Sequence, residues 1–307
     1  MTALRQRSVI WGAAAALLVG GTASEAAVIP GTSLTATVWL QADAVNGLNP
    51  QGNPAALPAN NAQIPFWGDS SGHSRNGTQG ITAQQPRFIT NVVNGKPVVR
   101  FDGSSTAGQG DFMNIIGGAL ANTDLSKLTL FVVSNDNRNA GDVSNKDILS
   151  TRDNHGNGWV ETYEPNSAQQ RYVHIGLGAG TNAVTDDNLS TDKFHVLELR
   201  RDGLNIELGH DGGLQVTDHL DDFKPTTLGV TQIGNNNNDL ARFFRGDIAE
   251  IIAFDNTKLS DSDRNAVERY LLNKYAITPA AGVPEPTSLA FLGLAGAAVL
   301  GGRRRRQ

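Results

Sequence analysis

Short runs rich in Val, Ile, Leu and Phe, each closed by turn-forming residues, recur through the body of this 307-residue chain and restrict it to a β-rich fold. The clearest are LTATVWL from Leu34, KPVVRF from Lys96, LTLFVVS from Leu128, KFHVLELR from Lys193, LNIEL from Leu204 and DIAEIIAF from Asp247. Two hairpin turns are explicit. Asn94-Gly95 precedes KPVVRF and Asp202-Gly203 sits between two alternating runs, and both dipeptides favour the positive φ angles of a type I′ turn. This spacing predicts an all-β fold, a two-sheet antiparallel jelly-roll sandwich. One segment breaks the pattern. Ser260 is placed to cap a helix, Asp261 and Asp263 suit its positive end, and Val267, Tyr270, Leu271 and Lys274 follow at helical spacing. A single C-terminal helix packed on the sandwich is the expectation. The chain has no cysteine, so core burial must hold the fold, with bound cations as a candidate aid.

The two ends differ from the body. Arg5 and Arg7 precede an apolar stretch, Val9 to Val19, that gives way to small residues around Ser24-Glu25-Ala26. This is the layout of a secretory signal peptide over 1–26, with cleavage after Ala26. At the other end, Val283, Pro284, Glu285 and Pro286 lead into an apolar run from Leu289 to Gly302, and Arg303, Arg304, Arg305 and Arg306 follow. Such a run enters a bilayer as a helix while the arginines stay on the cytoplasmic side. At about 1.5 Å per residue, residues 287–302 reach only roughly 24 Å, short of the usual ~30 Å hydrocarbon thickness. That suits a temporary membrane stop. Between the ends, residues 27–277 form one expected domain, and 278–307 are linker and tail. The whole chain carries a net charge of −5, and six arginines leave with its two ends, so the body is more acidic still. Nucleic acid is a poor partner for it.

The tripartite tail resembles a PEP-CTERM sorting signal, the tag of proteins handled by an exosortase in Gram-negative, biofilm-forming bacteria. That resemblance implies the general secretion machinery and an exosortase as partners and transient residence in the inner membrane. The destination it implies is the cell surface or extracellular matrix. Within the body, VWLQAD, FWGDSSGHSRNGTQ, NGKPVVRFDGSS and GDIAEIIAFDNTKLSDSDRNAVERYLLNKYAI resemble a LamG-like domain of the concanavalin A-like lectin and glucanase superfamily. These blocks are mainly scaffold: Trp39 and Trp67 are expected to pack, Asp69-Ser70-Ser71-Gly72 to turn the chain, and Phe101-Asp102-Gly103 to end a strand.

Jelly rolls of that superfamily often bind calcium through loop carboxylates, and Asp43, Asp102, Asp136 and Asp142 lie in suitable loops. DNHGNGWVETYE, from Asp153, matches several EF-hand positions, but its strand-like flanks argue for a surface hairpin loop instead. The six histidines are scattered without zinc spacing. Retaining glucanases of the superfamily resemble one another in a Glu-x-Asp-x-x-Glu motif, which this chain lacks. A two-residue loop at Asp202-Gly203 sets Glu198 opposite Glu207, on the outer face with Arg200. Leu197, Leu199, Ile206 and Leu208 then share the core face. Glu198, Arg200 and Glu207 are thus a candidate ligand patch and, more simply, a solvated ion-pair cluster.

The expectation is an exported, surface-sorted jelly roll without catalytic activity that binds extracellular polysaccharide. Two alternatives stay open. One is a polysaccharide-cleaving hydrolase or lyase of the same fold, and the other a purely structural matrix protein.

Overall fold

In β17 (Arg245–Asp255), Ile248, Ile251 and Ala253 join one buried cluster, whereas Ala249, Ile252 and Phe254 join another. A strand with both faces buried lies in the middle layer of a three-layer stack. The computed structural model describes residues 27–48, 53–104, 109–116, 120, 127–137, 146–151, 159–164, 170–175, 183–186, 189, 193–219, 230–235 and 242–280. Seventeen strands and one α-helix are present among them. In chain order the strands preceding β17 are β1 (Val38–Gln41), β2 (Ala62–Gln63), β3 (Phe66–Trp67), β4 (Gly77–Thr78), β5 (Arg87–Val93), β6 (Lys96–Asp102), β7 (Met113–Ile116) and β8 (Lys127–Asp136). They continue with β9 (Lys146–Ser150), β10 (Trp159–Glu164), β11 (Gln170–Ile175), β12 (Ala183–Asp186), β13 (His195–Asp202), β14 (Asn205–His210), β15 (Gly213–His219) and β16 (Val230–Ile233).

The larger sheet runs β15-β14-β13-β8-β17-β6-β5-β2, and the smaller runs β12-β11-β10-β9-β16-β7-β4-β3. Every named pairing is antiparallel, as the two-sheet sandwich requires. β17 pairs with β8 along one edge. Its other edge is shared, with β6 opposite Arg245 to Ile248 and β1 opposite Glu250 to Ala253. Between the sheets lie Leu40, Val99, Phe101, Leu130, Val132, Leu197, Leu199 and Ile251 from the larger one, with Trp67, Met113, Ile115, Ile148 and Ile233 from the smaller.

The outer face of the larger sheet carries Trp39, Val98, Phe131, Val133, Val196 and Ile252, and α1 (Asp261–Tyr275) covers it with Val267, Leu271 and Tyr275. Each fully buried side chain of Leu or Val size contributes roughly 1.5–3 kcal/mol, so this second core is a substantial share of the stability. The cap predicted at Ser260 forms: its hydroxyl oxygen accepts the Asp263 N–H at 3.2 Å. The helix ends on Ala276 in the left-handed region at φ 51°, whose N–H returns to the last turn. Beyond it the chain runs against the β14–β15 turn, where Ala280 N–H donates to the Asp211 carbonyl at 2.8 Å. Asp211 is itself clamped to β13, its carboxylate accepting the Val196 N–H at 2.8 Å and bonding His195 Nδ1 at 2.7 Å.

A bulge between Ile248 and Glu250 puts Ala249 and Glu250 both on the helix side. Glu250 is 1% exposed. It accepts from Trp39 Nε1 at 2.6 Å, Tyr270 OH at 3.1 Å, Tyr275 OH at 2.7 Å and Lys274 Nζ at 2.7 Å. Burial, and then the Glu250 charge, hold both tyrosine hydroxyls well above the usual phenol range, so they act as donors.

Two turns can be compared with expectation. Asn94 and Gly95 have φ 46° and 72°, the paired positive values of a type I′ turn. At the second hairpin the loop is Gly203-Leu204, with Asp202 paired to Asn205 and only Gly203 at positive φ (62°). That is the type II′ pattern, with glycine at the first central position.

Candidate functional site: an arginine-lined cleft

Two residues beyond Val98 and Ala249 on the same strands, the apolar outer face gives way to Arg100 and Asp247. The strand register then assembles a charged surface from four strands. Arg87 of β5 lies opposite Arg100 of β6, Arg100 opposite Asp247 of β17, and Asp247 opposite Asn135 of β8. One row further, Asp102 lies opposite Arg245. A cleft of about 440 Å³ opens here, lined by Arg87, Arg100, Asp102, Asp111, Asn137 and Arg245 over the backbone of Gly246. Gly103, at φ 61°, lets this edge close, because a Cβ there would fall on the Cβ of Arg245.

Facing arginines repel each other, and the Arg87–Arg100 pair is tolerated because Arg100 is neutralised. Its Nε and Nη2 donate to the two carboxylate oxygens of Asp247 at 2.6 and 2.8 Å, and this bonding raises the already high guanidinium pKa. Asn137 Nδ2 donates to the same carboxylate at 3.2 Å. The other two arginines are less engaged. Arg87 Nη1 donates to the Asn61 carbonyl at 3.0 Å and Arg245 Nη1 to the Asp102 carbonyl at 3.3 Å. Neither makes an ion pair among the described residues.

At the cleft's edge Asp102 and Asp111 clasp each other. Asp102 N–H donates to Asp111 Oδ2 and Asp111 N–H to Asp102 Oδ1, both at 3.1 Å. Burial, and next the negative charge of Asp102, push the Asp111 carboxyl up to about 7. The Asp102 N–H bond and the nearby Arg87 oppose that rise.

The expected ligand patch lies elsewhere and is not solvated. Because the turn is Gly203-Leu204, Glu198 faces Gly209, and Arg200 rather than Glu198 faces Glu207. Glu198 is 0% and Arg200 4% exposed, because α1 and the segment before it lie over them. Arg200 contacts Glu198, Glu207 and Asp261, Arg264 Nε donates to Glu198 at 2.9 Å, and Lys258 Nζ donates to Glu207 at 2.6 Å. Its contacts with Glu198 and Glu207 are close charge contacts rather than aligned hydrogen bonds. Burial, and then Glu198, push Glu268 up to about 8, whereas the Arg200 hydrogen bond holds Asp261 low. This lattice fastens the helix to the sheet and offers a ligand no open face.

The calcium candidates do not come together. Asp43 pairs with Lys274 at 3.0 Å and Lys96 at 3.4 Å, Asp102 lies in the cleft, Asp136 is buried at the end of β8, and Asp142 lies outside the described residues. Among the described residues no three His, Cys, Asp or Glu side chains converge as metal ligands. Trp39 and Trp67 pack at 3% and 0% exposure. Asp69 organises the expected turn, accepting the N–H groups of Trp39, Ser71 and Arg75. Ala26, the Val283 to Pro286 motif, the apolar run and the four terminal arginines lie outside the described residues. Among the described residues no helix is long and apolar enough to cross a membrane.

Of the cleft residues, the sequence had singled out Asp102 alone. Arg100 and Asp102 were open to discovery as the polar positions of an otherwise apolar KPVVRFD strand. Arg87, Asp111, Asn137 and Arg245 carry no local signal, since only the register of β5, β6, β17 and β8 gathers them.

Comparison with known proteins separates the tail from the body. The PEP-CTERM protein-sorting motif matches residues 282–306. No curated protein matches the chain in sequence. The fold is similar to domain 4 of AbnA, a GH43 extracellular arabinanase from Geobacillus stearothermophilus, solved in complex with arabinotriose. The identity is 13% and the TM-score 0.50, over 77% of this chain and 98% of that one. It is also similar to the receptor binding domain of botulinum neurotoxin D, at 13% identity and TM-score 0.52, over 78% of this chain and 53% of that one. A more distant likeness, 17% identical with TM-score 0.40 over 47% of this chain and 83% of that one, is to the Ruminococcus gnavus IT-sialidase CBM40 bound to α2,3-sialyllactose. The chain thus carries a PEP-CTERM sorting motif, which implies export and processing by an exosortase, behind a two-sheet antiparallel sandwich that shares its fold with jelly-roll binding domains.

Proposed function

We propose that this protein is an exported, exosortase-sorted component of the cell surface or extracellular matrix whose jelly roll binds polysaccharide without cleaving it. The observation that carries the reading is the sorting motif at residues 282–306 behind a sandwich with an open, hydrogen-bonding cleft. The fold likeness to an arabinotriose-bound domain supports it. In this reading the signal peptide ends at Ala26, the run Leu289 to Gly302 arrests in the inner membrane, and processing falls near Pro284-Glu285-Pro286.

A second reading has one observation in its favour. Asp102 and Asp111 form a carboxyl pair in the cleft, and Asp111 is raised to about 7, which is how an acid and a base are set apart in glycoside cleavage. Against it, each carboxylate is held by the other's backbone N–H and Asp111 is 5% exposed, so the pair serves the loop.

Both readings meet one experiment. The protein is produced in an exosortase-positive host and in a host lacking the enzyme, its intact mass and cellular fraction are measured, and binding and turnover of a glycan panel are assayed. Loss of the C-terminal segment only in the positive host, with glycan retention and no turnover, is the expected result. An uncut tail in both hosts removes the sorting reading, and product release from any glycan replaces binding with catalysis.

A further inference from the structure

We infer that the cleft takes an anionic sugar, a carboxylate- or sulfate-bearing residue of a polysaccharide, held by Arg87 and Arg245. The inference rests on the polysaccharide-binding reading and narrows its ligand class.

Most of the side chains lining the site are charged. Phe101, the aromatic residue beneath it, is 1% exposed and turned into the core, so the described cleft has no stacking platform for a neutral sugar ring. Recognition must come from hydrogen bonds and charge. Each carboxylate of the cleft is engaged: Asp247 accepts from Arg100 and Asn137, and Asp102 and Asp111 each accept the other's backbone N–H. Two of the arginines are more open. A guanidinium carries five N–H groups, and Arg87 and Arg245 each give one to a peptide carbonyl, with no carboxylate within ion-pair distance among the described residues. Planar bidentate recognition of carboxylate or sulfate is what an unpaired arginine offers better than any other side chain.

The spacing fits a sugar unit. Arg87 and Arg245 stand two strands and two residues apart, so their Cα atoms are separated by about 12 Å at ~4.8 Å per strand and ~3.3 Å per residue. They therefore flank the cleft, and its volume of about 440 Å³ falls within the range of small-ligand sites. Local charge agrees. Three arginines face three carboxylates, Asp247, Asp102 and Asp111, which makes this a charge-balanced spot on an otherwise acidic body. An anion repelled by the body at large is admitted here.

The test is titration calorimetry of the full-length protein against polygalacturonate, dextran sulfate, arabinan and dextran at low and high salt. At least one of the two anionic polymers is expected to bind, more weakly at high salt. Polygalacturonate alone assigns a carboxylate and dextran sulfate alone a sulfate. Arg87→Gln and Arg245→Gln are each expected to weaken binding about tenfold or more. Lys127→Gln removes the same charge at the opposite end of β8, about 30 Å from the cleft, and is expected to leave binding unchanged. Arg87 is exposed, so its variant keeps the test open should Arg245→Gln misfold. Binding of arabinan or dextran alone, or an equal loss in all three variants, overturns the inference and leaves polysaccharide binding standing. Failure to bind any of the four overturns both.

Discussion

Replacing Glu250 by Gln tests whether the buried carboxylate beneath α1 holds the helix to the sandwich. The side chain is 1% exposed, and its two oxygens serve four donors: Trp39 Nε1, Tyr270 OH, Tyr275 OH and Lys274 Nζ. Glutamine keeps the shape but replaces one acceptor oxygen by an amide that is itself a donor. Whichever way the amide turns, two buried donors lose their acceptor, at about 1–3 kcal/mol each. The Lys274 ammonium keeps Asp43 and Gln41 at 3.0 Å, which limits its own loss. The expected destabilisation is about 3–5 kcal/mol, in the range for breaking a buried charge pair. Urea unfolding followed by tryptophan fluorescence and circular dichroism reads it as a lower midpoint at unchanged slope. In Glu250→Met/Lys274→Met the charges leave together, and the loss should be smaller than the sum of the two single variants. A loss below about 1 kcal/mol for Glu250→Gln, or strict additivity in the pair, would refute the argument that these donors depend on the carboxylate.

The raised Asp111 carboxyl has a consequence with a definite sign. Its folded pKa of about 7 lies above the ordinary carboxyl value of 3.8, so the folded state binds the proton more tightly and stability falls as pH rises from about 4 to 7. Asp111→Asn should therefore gain on the wild type between pH 5 and pH 8 in thermal unfolding, and a pH-independent difference would count against the burial argument. Ser260→Ala removes the hydroxyl that accepts the Asp263 N–H and should cost about 1 kcal/mol in urea without altering glycan binding.

The strands and the helix were legible because their signals are local. Short apolar runs bounded by turn residues, KPVVRF and LTLFVVS among them, mark strands, and Ser260 followed by Val267 and Leu271 marks a capped, one-sided helix. The second hairpin shows where local reasoning stops. Asp202-Gly203 and Gly203-Leu204 are both chemically sound loops, and choosing between them moves Glu198 from Glu207 to Gly209. The face of Glu198 was read correctly from Leu197 and Leu199, but its burial was not, because nothing in β13 reports that a helix more than sixty residues away will lie over it. The cleft was the least legible part. Arg87, Arg100, Asp111 and Arg245 come from segments whose contact is a property of sheet order, and no spacing within one segment encodes it.

The bond from Ala280 to the Asp211 carbonyl has a further implication for how the molecule stands. The chain leaves the domain beside the β14–β15 turn, two residues before the sorting motif begins at residue 282. Four residues can reach at most about 13 Å from Ala280 to Pro284. A protein engaged through that motif would be held on a short leash, with the β15 edge of its larger sheet lowered toward the bilayer. The cleft sits on β5, β6 and β17, at the far side of β13 and β8 in the same sheet. It would stand away from the bilayer by the width of those strands, available to long polymers before the leash is cut as well as after.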